Sequence, residues 1–165
     1  MTEEEFPIPT SKDEIKQWIL ESHARIASHW AGLSKEQMVA VPGPTPEWSV
    51  KDLIAHLIWW ENFSLARMLL ISVGMKPARF DGFDPINERV RRAHSGLSLE
   101  YVLAEFDRSA DRMVAGIDAF SFEELMGELT YVGDPLGALL AGNTWGHIAE
   151  HEPDLIAYVE SLQNG

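Results

Sequence analysis

The sequence predicts an all-α fold, a four-helix bundle, and three observations lead there. Apolar residues recur at three- and four-residue intervals through each long patterned stretch and nowhere alternate, so the periodicity is helical and no strand competes. Serine or aspartate precedes each of these stretches at a spacing that caps a helix. With 165 residues, 45% of them hydrophobic, the chain has the size of one domain with one sizeable core.

Residues 1–10, with three consecutive glutamates and two prolines, read as a flexible N-terminal segment ahead of a single domain over 11–165. Ser11 and Glu14 have capping-box spacing, and Ile15, Trp18, Ile19, Ile26, Trp30 and Leu33 then mark the apolar stripe of a first helix. Gly32 ends it, Ser34 with Gln37 caps a short extra turn, and the proline-rich run from Val41 to Glu47 is a connecting loop. Ser49 caps a second helix with a wide apolar arc, Val50, Leu53, Ile54, Leu57, Ile58, Leu65, Met68 and Leu69, ending near Gly74. Residues 76–84 form a loop, after which Asp84 caps and Pro85 opens a short helix through Arg92, stopped by Gly96.

Ser98 introduces a third long helix along Val102, Leu103, Phe106, Ala110, Met113, Val114 and Ile117, and Ser121 with Glu124 repeats the capping box on a short turn. Asp134 and Pro135 open a fourth helix, expected to run through Leu140, Trp145, Ile148, Leu155 and Val159. Gly137, Gly142 and Gly146 weaken it, so a close helix contact or ligand approach is expected to compensate. Pro153 predicts a kink just beyond His151. Four long helices joined by short and long connections fit a bundle with extra short helices.

The formal charge is 13 − 26 = −13, which argues against nucleic acid and anionic membranes as partners. A small-molecule ligand is expected instead, with a homodimer left open. There are no cysteines, which excludes disulfides, thiolate metal sites and a cysteine nucleophile. The N-terminus has neither the positive charge nor the apolar run of a secretory signal, so a cytoplasmic protein is expected. The most apolar stretch, 53–70, is interrupted by His56, Glu61, Asn62 and Arg67 and is a poor membrane span.

Chemistry concentrates in three of the six histidines. His147 and His151, four apart on the fourth helix, project about 40° apart and can chelate one metal ion. His56 sits amid large apolar residues of the second helix and needs a partner. Facing helices of a bundle could bring the three imidazoles together, leaving an open coordination position of the catalytic kind. The alternative is that His56 donates one hydrogen bond inside the core while His147 and His151 are half-exposed helix residues. The string His147-Ile-Ala-Glu150-His151 also matches a metalloprotease pattern, H-x-x-E-H, which ranks last because no substrate-binding sheet is predicted. Glu150, about 60° around the helix from His147, is a candidate general base. Trp59, Trp60 and Trp145 are close in sequence to these histidines and could wall a pocket for a flat or apolar ligand. His23, His29 and His94 receive no role, and Arg89, Arg91 and Arg92 read as a solvated face.

Two segments, Trp48-Ser-Val-Lys-Asp-Leu-Ile-Ala-His56-Leu and Gly142-Asn-Thr-Trp-Gly-His147-Ile-Ala-Glu-His151, supported by Pro85-Ile-Asn-Glu-Arg89, resemble the DinB-like metal-binding four-helix-bundle superfamily and its ClbS/DfsB branch. The resemblance spans roughly residues 11–160. It implies an up-down-down-up bundle whose divalent ion, zinc or nickel, is held at positions that fall on His56, His147 and His151. It also implies thiol-dependent transfer or hydrolysis of electrophiles as the range of activities, since relatives include thiol-dependent S-transferases, isomerases and a protein that hydrolyses a genotoxin. The expectation is therefore a metal-assisted hydrolase, or an S-transferase using a low-molecular-weight thiol, in detoxification or self-protection. A protein that sequesters its ligand without turnover is the alternative, because a fold does not supply a reaction.

Overall fold

The computed structural model describes residues 8–77, 82–127 and 135–163. Their regular structure is helical, with one isolated bridge between Thr45 and Trp48. The first long helix, α1 (Lys12–Trp30), is capped by Ser11, whose hydroxyl accepts from the Glu14 amide. The Glu14 carboxylate closes on Thr10 instead of on Ser11. Complete capping boxes open α2 (Lys35–Val39) at Ser34, α3 (Val50–Ser72) at Ser49 and α6 (Phe122–Met126) at Ser121, while Ser98 caps α5 (Leu99–Asp118). The short helix α4 (Asp84–His94) begins one residue earlier than the sequence suggests, with Phe83 as a cap that makes no side-chain bond. Asp134 lies outside the described residues.

The expected fourth helix is two helices. Leu136–Ala141 form α7, Trp145–Gln163 form α8, and Gly142–Thr144 turn between them. The side chains explain the break. Asn143 Nδ2 donates to the Leu139 carbonyl, and the Thr144 hydroxyl donates to the Leu140 carbonyl, so carbonyls that a continuous helix would use are already satisfied. The Thr144 carbonyl then accepts the Ile148 amide and starts the new helix. At Gly137 the close approach is present, since a Cβ there would stand 3.1 Å from the Leu125 carbonyl oxygen. Helix α8 continues through Pro153.

Two apolar clusters reveal the topology. One gathers Ile26 and Trp30 from the end of α1, Val50 to Ile58 from the start of α3, Leu99 to Phe106 from the start of α5, and Ile148 and Leu155 of α8. The other gathers Ile15 and Ile19, Met68, Met113 and Ile117, and Trp145, from the opposite ends of the same four helices. Thus α1 and α8 run one way and α3 and α5 the other, an up-down-down-up bundle. Helices α1 and α3 each pack on α5 and α8 and face one another across the diagonal, while α4, in the long crossover, packs on α3. Between the clusters His23 Nε2 meets Glu61 Oε1 at 2.5 Å, both residues buried, with the imidazole stacked on Phe106. No helix of the described residues is long and apolar enough to cross a membrane.

Candidate metal centre

His56 lies less than two turns into α3, so the Ser49–Asp52 box that fixes the helix start also fixes its height. Across from it, His147 and His151 occupy successive turns of α8. The three Nε2 atoms form a nearly equilateral triangle: 2.9 Å from His56 to His147, 3.1 Å from His56 to His151 and 3.0 Å between His147 and His151. His56 is 3% exposed, His147 9%, and His151 is half-buried. This is the one group of three potential metal-donor side chains, with donor atoms all within 4.8 Å, among the described residues.

Three imidazole nitrogens cannot satisfy one another in a triangle. Each Nε2 carries either one proton or one lone pair, so at least one of the three contacts sets like against like. The buried Nδ1 atoms of His56 and His147 have no hydrogen-bond partner among the described residues either. A cation taking all three lone pairs removes the conflict, and edges near 3 Å suit donors about 2.0–2.1 Å from a shared ion. Burial pushes His56 down to about 2 and His147 down to about 3, with further lowering of His56 by its neighbours His147 and His151, and of His147 by His151. His151 is also lowered by burial, against the charges of Glu150 and Asp154, which raise it. Near neutrality the trio is neutral and able to ligate.

The triangle opens on a cavity of about 210 Å³. Pro44, Trp48 and Leu53 give it apolar walls, Thr45, Asn87 and Asp154 give it polar ones, and His56 and His151 reach its floor. The Trp48 ring stands edge-on to His56 at 4.8 Å between centroids. Trp60 stands on the other side, 6.3 Å from His56 and 6.2 Å from His147, and its Nε1–H donates to Asn87 Oδ1 at 3.0 Å. An indole N–H only donates, so Asn87 turns its oxygen to Trp60.

The sequence-predicted pocket residues separate. Trp60 flanks the histidines; Trp59 stacks on Phe63 behind it and takes no part in the cavity lining. Trp145, about 200° around α8 from His147, packs edge-on against Trp18 and lines a separate apolar hollow with Ile8, Pro9 and Met126. Glu150 is exposed and outside the cavity lining. Sequence reasoning missed Trp48, Asn87 and Asp154 as cavity residues, although Trp48 opens the first quoted segment and Asp154 stands seven residues after His147. Of the unassigned histidines, His23 pairs with Glu61, His29 with Glu152, and His94 Nδ1 lies 2.7 Å from the Val90 carbonyl oxygen.

The family described as the DinB superfamily matches residues 11–154. This chain belongs to the DinB superfamily. Among solved structures the fold recurs in the colibactin self-resistance protein ClbS in complex with double-stranded DNA, at 20% identity and a TM-score of 0.81 over 96% of this chain and 99% of that one. It recurs in the sibling lethal factor precursor DfsB, at 20% identity and a TM-score of 0.75 over 95% and 97%. A protein of Escherichia coli UTI89 matches at 20% identity and a TM-score of 0.80 over 94% and 96%. No curated protein matches the sequence. The ClbS complex corrects the expectation that nucleic acid is excluded as a partner. Net charge sums the whole surface, whereas duplex binding depends on where cations cluster, and α4 alone carries Arg89, Arg91 and Arg92.

Proposed function

We propose that this DinB-superfamily protein is a protective, metal-assisted enzyme acting on small electrophiles. The supporting observation is the convergence of three neutral imidazoles in a buried corner that opens on a small cavity. His56, His147 and His151 would hold one divalent ion, zinc or nickel, which when bound lowers the pKa of a coordinated water or low-molecular-weight thiol. Trp48, Leu53 and Pro44 hold the apolar part of the ligand, and the Asn87 NH2, oriented by Trp60, donates to an acceptor on it. At about 210 Å³ the cavity is below the size of drug-binding pockets, so a small molecule or one reactive arm of a larger one enters. ClbS, a self-resistance protein of the same fold, supports a protective role.

The test is elemental analysis together with turnover. Wild-type protein should hold up to one divalent ion per chain and the His56→Ala, His147→Ala, His151→Ala triple variant none. A panel of epoxides and alkylating agents, incubated with and without added thiol and followed by mass spectrometry, separates transfer from hydrolysis. Stoichiometric loss of electrophile that is indifferent to chelation would establish sequestration instead. Association with duplex DNA is a second reading, favoured by the arginines of α4 and by the ClbS complex. Glu88 pairs with Arg91 and Arg92, which limits that surface. A salt-dependent gel shift lost in an Arg89→Ala, Arg92→Ala variant would support it.

A further inference from the structure

Resting on that enzymatic reading, we propose that Asp154 is the carboxylate that takes up and returns the proton during the reaction at the three histidines. Sequence spacing favours Glu150 for this role; the placement of the two side chains favours Asp154. On α8, His147, His151 and Asp154 follow at i, i+4 and i+7, so Asp154 lies within about 20° of His147 around the axis and about 4.5 Å beyond His151 along it. It extends the histidine stripe by one turn. Among the described residues Asp154 is the one carboxylate in the cavity lining, which also includes His56 and His151. Glu150 is about 60° off the stripe, exposed and absent from that lining.

Neither carboxylate belongs to the donor cluster within 4.8 Å. That separation suits a base, whose oxygen must reach the water or thiol held at the histidines without itself being occupied as a ligand. Asp154 is exposed at the cavity rim, where a proton can pass onward to solvent. The other polar groups of the lining do not compete for the role. Thr45 and Asn87 do not accept a proton near neutral pH, and the histidine Nε2 atoms are committed to ligation.

The step balances as hydrolysis. A water O–H proton passes to an Asp154 carboxylate oxygen while the water oxygen bonds to the electrophilic carbon. The bond from that carbon to its leaving atom breaks, the electron pair stays on that atom, and Asp154 returns the proton to it. With a thiol, sulfur takes the place of oxygen and the proton path is the same.

The experiment compares wild type, Asp154→Asn and Glu150→Gln as full chains loaded with cobalt(II). Cobalt content should be equal in all three. The pH midpoint of the cobalt visible spectrum, which reports ionisation of bound water, should fall by about half a pH unit or more in Asp154→Asn, because a negative charge beside that water is removed, and by much less in Glu150→Gln. With styrene oxide as substrate, with and without 2-mercaptoethanol, kcat should fall on the order of 10²-fold in Asp154→Asn with KM little changed, and Glu150→Gln should resemble wild type. Loss of cobalt from Asp154→Asn would make the residue a ligand and overturn the proposal. So would wild-type turnover in Asp154→Asn, or loss of turnover in Glu150→Gln alone. A wild-type protein that binds no cobalt defeats the enzymatic reading itself, and this assignment with it.

Discussion

His56 and His147 are held neutral by burial, and the sign of that effect on stability follows directly. Their folded-state values of about 2 and about 3 lie far below the ordinary histidine value, so from about pH 6.5 downward the unfolded chain binds protons that the folded chain refuses. Stability is therefore complete above about pH 6.5 and falls as the pH drops toward the folded-state values, by about 1.4 kcal/mol per pH unit for each histidine. For metal-free protein, urea unfolding at pH 7 and at pH 5 should differ by on the order of 3 kcal/mol, and a His56→Gln, His147→Gln variant should show a much smaller difference. Parallel pH profiles for the two proteins would contradict the burial argument. The histidines themselves were legible in the sequence, two by their i, i+4 spacing and one by its apolar neighbours. Asn87 was not, because its role depends on a Trp60 N–H twenty-seven positions away that fixes its amide.

Capping was the most legible feature of the elements. Ser34, Ser49, Ser98 and Ser121 all cap the helices they precede, since the hydroxyl and its target amide are three residues apart and need no tertiary context. The break at Gly142–Thr144 was not, because side chains that satisfy the preceding carbonyls compete with a helix whose apolar period continues across the gap. The loop before α3 invites a sharper test. A Cβ on Gly43 would stand 2.6 Å from the Trp48 carbonyl oxygen and 2.9 Å from Ser49 Cα, backbone that cannot step aside. Gly43→Ala should therefore cost about 1–3 kcal/mol and shift the tryptophan fluorescence as Trp48 moves off His56. Gly32→Ala, with nothing within 4 Å of the new methyl, should stay within about 0.5 kcal/mol of wild type. Equal stabilities for the two variants would remove the steric account.

At the scale of the molecule, the two apolar clusters are separated by the His23–Glu61 pair, which joins α1 and α3 across the diagonal of the bundle. Glu61 is 1% exposed and its second oxygen, like His23 Nδ1, has no hydrogen-bond partner among the described residues. Burying such a pair costs desolvation, which only its mutual contact offsets. Glu61→Leu alone, which strands His23, should destabilise by on the order of 3 kcal/mol, and adding His23→Leu should recover much of the loss. A double-mutant cycle read by urea unfolding checks this, and additive effects would rule out a coupled pair. Helical class and the four long helices were legible from periodicity; this pairing was not, because both residues read as ordinary polar interruptions until the diagonal is known. The whole-chain charge was legible too, but a sum over the surface carries no information about where DNA-compatible cations lie.

The triangle of imidazoles joins positions 91 and 95 residues apart in the chain. Closing so long a loop is entropically slow compared with forming any single helix, and it requires α8 to dock on a bundle whose other three long helices come earlier in sequence. Under the metal-assisted reading proposed above, ion capture would therefore be a sensor of completed folding: during refolding, helical signal should precede uptake of the ion, and a chain arrested before its last helix settles would have no means of retaining one.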